Sequence, residues 1–243
     1  MKLEAQIAIV TGASRGLGLE VARAFAARGA KLVLTARRRE ALDAAAEELS
    51  RVTEVEAVSA DVSEDAERII EAAIRRFGRV DILVNNASEL GPSPMPVLAD
   101  YPWRELQRVL RVNVLAPLHL TQLVLPGMRA RRQGVIINVT SDAGVEAYAG
   151  WGGYGLSKAA LEHMSRTLGV ELEGSGVRVY VVDPGDMDTE MHRLAEPGVD
   201  LSHLPSPAVA APAFVWLVEE ENAPFARVQA QQLAASTREG ARR

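Results

Sequence analysis

The sequence contains no cysteine. That excludes disulfides, iron–sulfur clusters, thiol nucleophiles and every cysteine-ligated zinc site, and it fits a reducing compartment. Histidine is also scarce. The four present, His119, His163, His192 and His203, show no ligand spacing of the His-Glu-x-x-His kind, so no metal is expected. Long apolar runs are missing too: the longest, Ala208 to Val218 with one proline, falls well short of the ~18 residues of a bilayer span. Near the start, Lys2 is followed by Glu4, and the apolar stretch Ile7 to Val10 runs into a glycine-rich turn, unlike the cleavage site of a signal peptide. There is no excess of positive charge. With 27 Lys+Arg against 32 Asp+Glu the net charge is −5, which argues against a nucleic-acid or anionic-membrane partner. The expectation is a soluble, cytoplasmic protein.

What is present is a chain of 243 residues, 48% of them hydrophobic, enough for one sizeable core. We expect a single domain over residues 1–243. Short runs rich in Val and Ile recur at Gln6 to Thr11, Lys31 to Ala36, Glu54 to Ala60, Val80 to Asn85, Gly134 to Thr140 and Val177 to Val182, with a last strand expected at Ala226 to Leu233. Helical stretches lie between them: Gly16 to Arg28, Glu40 to Leu49, Glu64 to Phe77, Trp103 to Arg131 with a bend near Pro117, Gly155 to Glu173 and Ala208 to Glu220. Strands alternating with helices require a parallel sheet covered on both faces, since parallel neighbours need long crossovers. The expected fold is therefore α/β: a Rossmann-type, doubly wound sheet of about seven strands in three α/β/α layers. Glu196 to Pro207, with three prolines and a glycine, reads as a loop, and 234–243 as a disordered tail.

Thr11-Gly12-Ala13-Ser14-Arg15-Gly16-Leu17-Gly18 follows a strand and opens a helix. Such a turn presents free N–H groups and a helix N-terminus to an anion, so a diphosphate is its natural guest; the bland alternative is an ordinary strand-to-helix turn. Gly12, Ala36, Asp61, Asn85, Ser141 and Asp183-Pro184 each fall at or just past the end of a predicted strand. In open α/β sheets ligands bind at that edge. Tyr154 and Lys158 are four apart on one helical face. A nearby ammonium favours a phenolate, lowering a tyrosine pKa from its usual ~10 and fitting the hydroxyl for proton exchange. Read alone, the pair is better explained as a surface tyrosine beside a surface lysine.

The Gly-x-x-x-Gly-x-Gly spacing, followed in order by Asp61-Val62, Asn85-Asn86-Ala87, Asn113, Ser141, Tyr154-Gly-Leu-Ser-Lys158 and Pro184-Gly185 with Thr189, resembles the classical short-chain dehydrogenase/reductase family, densely over residues 3 to 192. The resemblance implies hydride transfer between a nicotinamide cofactor and a carbonyl or alcohol substrate, in a homodimer or homotetramer. It assigns Tyr154 as acid/base, Lys158 as its modulator, Ser141 (in preference to Thr140) as the group orienting the substrate oxygen, and Asn113 as holder of a proton-relay water. A satisfied helix-packing amide is the alternative for Asn113. Cofactor contacts are implied for Gly12, Ser14, Arg15, Gly16, Leu17, Gly18, Asp61, Val62, Asn85, Ala87, Tyr154, Lys158, Pro184, Gly185, Met187 and Thr189. Asp61 has an alternative as a helix cap and Pro184-Gly185 as a strand-ending turn.

Charge selects between cofactors. An acid about 20 residues past the glycine turn holds the ribose of NAD, whereas a 2′-phosphate needs positive charge. Here the second strand ends Thr35-Ala36-Arg37-Arg38-Arg39 with Arg15 in the glycine turn, so NADP(H) is expected over NAD(H), through Arg37 and Arg38. The alternative is that these arginines are the solvated start of a helix. Three departures from the family stand out: Ser88 for a glycine, Asp142 after Ser141, and Gln229 to Gln232 where an aspartate and paired glycines usually end the last strand. Asp186 to Pro207 is the expected substrate loop, compatible with an apolar ketone, a keto-ester, a sugar or a carrier-bound 3-ketoacyl chain. A non-catalytic NADP-binding sensor or scaffold is the alternative; it would have no need of the full Asn113, Ser141, Tyr154, Lys158 set.

Overall fold

The computed structural model describes residues 1–233. In chain order its elements are β1 (Ile7–Thr11), α1 (Gly16–Ala26), β2 (Lys31–Ala36), α2 (Arg39–Ser50), β3 (Val55–Ser59), α3 (Ala66–Phe77), β4 (Ile82–Asn85), α4 (Trp103–Leu110), α5 (Ala116–Arg131), β5 (Gly134–Val139), α6 (Gly152–Glu171), β6 (Val177–Asp183), α7 (Glu190–Ala195), α8 (Ala211–Glu219) and β7 (Phe225–Gln229). The strands form one sheet in the order β3-β2-β1-β4-β5-β6-β7, every neighbouring pair parallel. Strand order reverses between β1 and β4, which opens a crevice at their carboxyl ends.

Alternation along the strands builds the two faces. Ala8, Val10, Leu32, Leu34, Ile82 and Val84 pack on one side with Leu17, Val21 and Phe25 of α1 and Phe214 and Leu217 of α8. Ile9, Val33, Leu83, Ile136 and Val179 pack on the other with Ile69 and Ala73 of α3, Leu120, Val124 and Met128 of α5 and Leu168 of α6. The register sets Ile9 between Val33 and Leu83, so each residue covers its neighbours and each large side chain so buried contributes roughly 1.5–3 kcal/mol. The expected three-layer α/β/α fold is the observed one.

The structure adds local detail to these expectations. The helix expected at Trp103 to Arg131 is continuous but contains a π-helical segment, Arg111–Leu115, two residues before Pro117. The last strand ends at Gln229, and residues 230–233 are helical. Within the expected substrate loop lies α7, capped by Thr189, whose hydroxyl accepts from His192 N at 3.1 Å. Trp103–Arg131 also reaches membrane-spanning length, its most apolar 18-residue window averaging a mean hydropathy of 1.3, although no uninterrupted apolar run is that long; its Val112, Ala116, Leu120, Val124 and Met128 pack into the core. The tail expected at 234–243 lies outside the described residues.

Candidate active site

A cleft of about 670 Å3 runs along the carboxyl edge of the sheet, in the size range of small-molecule sites. At one end is the glycine turn. Gly12 has φ +66°, a left-handed value, and a Cβ there would fall 2.8 Å from Asn86 Nδ2 and 3.0 Å from the Ala87 backbone. Gly16, at φ +55°, faces open space. The first turn of α1 carries no acid and no side-chain cap, so its free N–H groups are left to an external anion. Beneath it the Thr11 hydroxyl donates to Val84 O at 3.1 Å and accepts from Asn86 N and Ala87 N, both at 2.9 Å, while Asn86 Nδ2 donates to Thr11 O at 2.8 Å. These bonds pin the ends of β1 and β4 at the point where strand order reverses.

Of the residues expected to hold a cofactor, Gly12, Ser14, Arg15, Gly16, Leu17, Arg37, Arg38, Asp61, Val62, Ala87, Pro184, Gly185, Met187 and Thr189 line the cleft. Gly18 and Asn85 do not. A Cβ on Gly18 would fall 2.4 Å from Gly12 O, so this glycine allows α1 to lie against the turn. Asn85 is buried in the sheet and donates to Asn138 Oδ1 at 2.8 Å; its neighbour Asn86 takes the place in the cleft. The reason is the two-residue alternation of a strand, which a motif reading does not resolve at its last residue. Asp61 also shapes its turn, accepting from Ser63 N at 2.9 Å. Arg15, Arg37 and Arg38 cluster beside the glycine turn. Burial, and then the charges of Arg38 and Arg37, lower the Arg15 pKa, the condition an incoming anion relieves.

At the other end Ser141, Tyr154 and Lys158 line the same cleft. Thr140, the competing residue, also borders the cleft, but it is buried and its hydroxyl donates to Glu162 Oε1 at 2.9 Å, whereas Ser141 is the more exposed of the two. Ser141 Oγ donates to Asp142 Oδ1 at 2.8 Å, and Asp142 Oδ2 accepts from Tyr148 at 3.0 Å. Lys158 Nζ donates to Val139 O at 2.9 Å and lies 5.3 Å from the Tyr154 ring centroid.

The expected lowering of the Tyr154 pKa is not what the structure gives. Burial, with smaller contributions from Asp142 and Asp183, pushes it well above the usual tyrosine range against a hydrogen-bonding contact with Ser88. Burial likewise pulls Lys158 down to about 7. Asn113 stands in the π-helical segment with all four amide valences used: Oδ1 accepts from Glu89 N (2.7 Å) and Ser88 Oγ (3.2 Å), and Nδ2 donates to Glu89 O and Ser157 Oγ (both 2.9 Å). Its side chain therefore has no site left for a relay water, and it ties the loop after β4 to α6.

Three supports were not foreseen in the sequence. Glu162 and Asp183, both buried, share the guanidinium of Arg227 on β7, at 3.0 and 3.6 Å, directly behind Thr140. Gln231 donates to Pro184 O at 3.1 Å and Asp186 O at 2.8 Å, holding the start of the segment that covers the cleft. Thr11 joins β1 to β4. A polar residue ending each apolar run was the only available signal for Thr11 and Asp183, and no local pattern marks the other partners.

The family model for short chain dehydrogenases matches residues 6–199. A 2-(R)-hydroxypropyl-CoM dehydrogenase of Xanthobacter autotrophicus is 36% identical over 197 residues, 76% of each chain. A 3-oxoacyl-[acyl-carrier-protein] reductase of Vibrio cholerae is 35% identical over 191 residues, 79% of this chain and 77% of that one. The crystal structure of a metagenomic short-chain oxidoreductase in complex with NADP superposes with a TM-score of 0.79 at 30% identity, over 94% of this chain and 99% of that one. With the sheet order, the glycine turn and the tyrosine–lysine pair in one cleft, these likenesses agree, and the chain belongs to the short-chain dehydrogenase family of oxidoreductases acting on CH–OH groups.

Proposed function

We propose that this enzyme interconverts a small-molecule carbonyl compound and its alcohol with NADP(H), in preference to NAD(H). The observation that carries the reading is one continuous cleft with Arg15, Arg37 and Arg38 at one end and Ser141, Tyr154 and Lys158 at the other. The turn fits a dinucleotide: open space before Gly16, unpaired N–H groups at the start of α1, and three guanidinium groups where a 2′-phosphate would lie. Bound NADP(H) would supply or accept the hydride. Tyr154, a neutral phenol before the step, donates its proton to the substrate oxygen in the reductive direction; Ser141 orients that oxygen, and protonated Lys158, 5.3 Å from the ring centroid, stabilises the phenolate left behind until a proton from solvent restores the phenol. Asn113 is a positioning residue in this scheme.

We read the chain as one domain, working in the cytoplasm, with residues 186–207 as its substrate segment. Exposed Leu115, Leu156 and Val170, on the helices that carry Asn113 and Tyr154, support self-association as a homodimer or homotetramer. The deciding experiment follows NADPH and NADH oxidation against ketones, keto-esters, quinones, sugars and 3-ketoacyl thioesters, with Tyr154→Phe alongside. Turnover with NADPH that falls by about 10²–10⁴ in the variant is expected. NADPH binding without turnover on any substrate would overturn the reading in favour of a sensor.

A further inference from the structure

Glu190 opens α7, and its two carboxylate oxygens serve two different arginines. Oε2 pairs with Arg15 Nη1 of the glycine turn, and Oε1 lies 3.5 Å from Arg38 Nη2 beyond β2. A contact spanning 152 residues between Arg38 and Glu190 thus joins the cofactor end of the cleft to the segment over its substrate end. The same short helix contributes Met191, His192 and Ala195 to the cleft wall. Arg37 has its own acid, Glu89, at 3.6 Å, so Glu190 is the carboxylate that neutralises Arg15 and Arg38.

Those two arginines are among the three that the proposed function gives to a 2′-phosphate. A phosphate and a carboxylate cannot both occupy them, because like charges at such distances repel. The pairs are open to water, with side-chain exposures of 48% for Arg15, 69% for Arg38 and 45% for Glu190, so they are weak and exchangeable. NADH lacks the 2′-phosphate that competes for both.

We propose that Glu190 is a cofactor-discriminating residue: its carboxylate holds Arg15 and Arg38 until a 2′-phosphate displaces it, and the displacement releases α7 at the substrate end. NADP(H) binding therefore works against Glu190 and loosens α7, whereas NAD(H) leaves both untouched. The inference rests on the reading of the cleft as a nicotinamide dinucleotide site.

The test is calorimetric binding of NADPH, NADH and 2′,5′-ADP to the wild type, Glu190→Gln and Glu190→Ala, with hydrogen exchange of residues 190–195 in parallel. Removing the competing charge should tighten NADPH and 2′,5′-ADP by about threefold to tenfold, from two exposed ion pairs, and move NADH by less than about twofold. NADPH, but not NADH, should speed exchange in α7 of the wild type, and both variants should exchange fast without nucleotide. Equal effects on NADPH and NADH, or none on either, would overturn the role of Glu190 while leaving the cleft assignment intact. Failure of the wild type to bind any of the three ligands would overturn the cleft assignment itself, and the role of Glu190 with it.

Discussion

Lys158 and Val139 are joined by a buried hydrogen bond, Nζ to carbonyl oxygen at 2.9 Å, which fixes an ammonium behind Tyr154. Burial lowers the Lys158 pKa to about 7 in the folded state, while the unfolded chain keeps the ordinary lysine value. Between those two values the unfolded state binds the extra proton, so stability rises with pH above about 7 and this contribution is flat below it. The difference in unfolding free energy between the wild type and Lys158→Met, measured by urea denaturation from pH 6 to 9, should grow by up to about tenfold in the folding equilibrium per pH unit on the alkaline side. A pH-independent difference would count against a depressed lysine.

Ser141 reaches the cleft with its one proton already given to Asp142. A ketone oxygen needs that proton, so Asp142 opposes carbonyl binding and must be displaced. Asp142→Ala should lower KM for a ketone by about twofold to tenfold, the scale of one net hydrogen bond. The gain should vanish in the Ser141→Ala background, a coupling that a double-mutant cycle reads directly. An unchanged KM in Asp142→Ala would show that the serine is not restrained.

The two glycines Gly16 and Gly18 should separate cleanly. A methyl on Gly18 would press on Gly12 O, 2.4 Å away, and on Asn86, forcing α1 from the turn at a cost of about 1–3 kcal/mol. Gly16→Ala meets no atom within 4 Å and pays only for its left-handed backbone, roughly 1 kcal/mol. Thermal melting should rank Gly18→Ala below Gly16→Ala; the reverse order would refute the packing assignment for Gly18.

Removing Arg227 would leave Glu162 and Asp183 buried without a counter-charge. The expected loss is about 3–5 kcal/mol for Arg227→Met, seen as a lower urea midpoint. Glu162→Gln combined with Arg227→Met should recover part of it. A single variant as stable as the wild type would mean the carboxylates are hydrated.

Much of this was legible in the chain. Strand runs such as Lys31 to Ala36 coincide with the observed β2 because branched apolar residues stop where Arg37 begins. The glycine turn, Ser141, Tyr154 and Lys158 come together because each follows a strand end or shares a helical face. Sequence was silent wherever a side chain's partner comes from a distant element. Asn113 is exhausted by Ser88, Glu89 and Ser157, and Arg227 reaches Glu162 across 65 residues. Helix α7 escaped because six residues are too few to display a period. The high Tyr154 pKa reflects depth of burial, which a spacing of four does not reveal.

Arg227 sits on β7, which pairs only with β6 and is synthesised after the other six strands. The catalytic floor thus takes its counter-charge from the terminal strand of the sheet, so a chain cut before residue 227 would lose the cation of Glu162 and Asp183 while keeping both carboxylates.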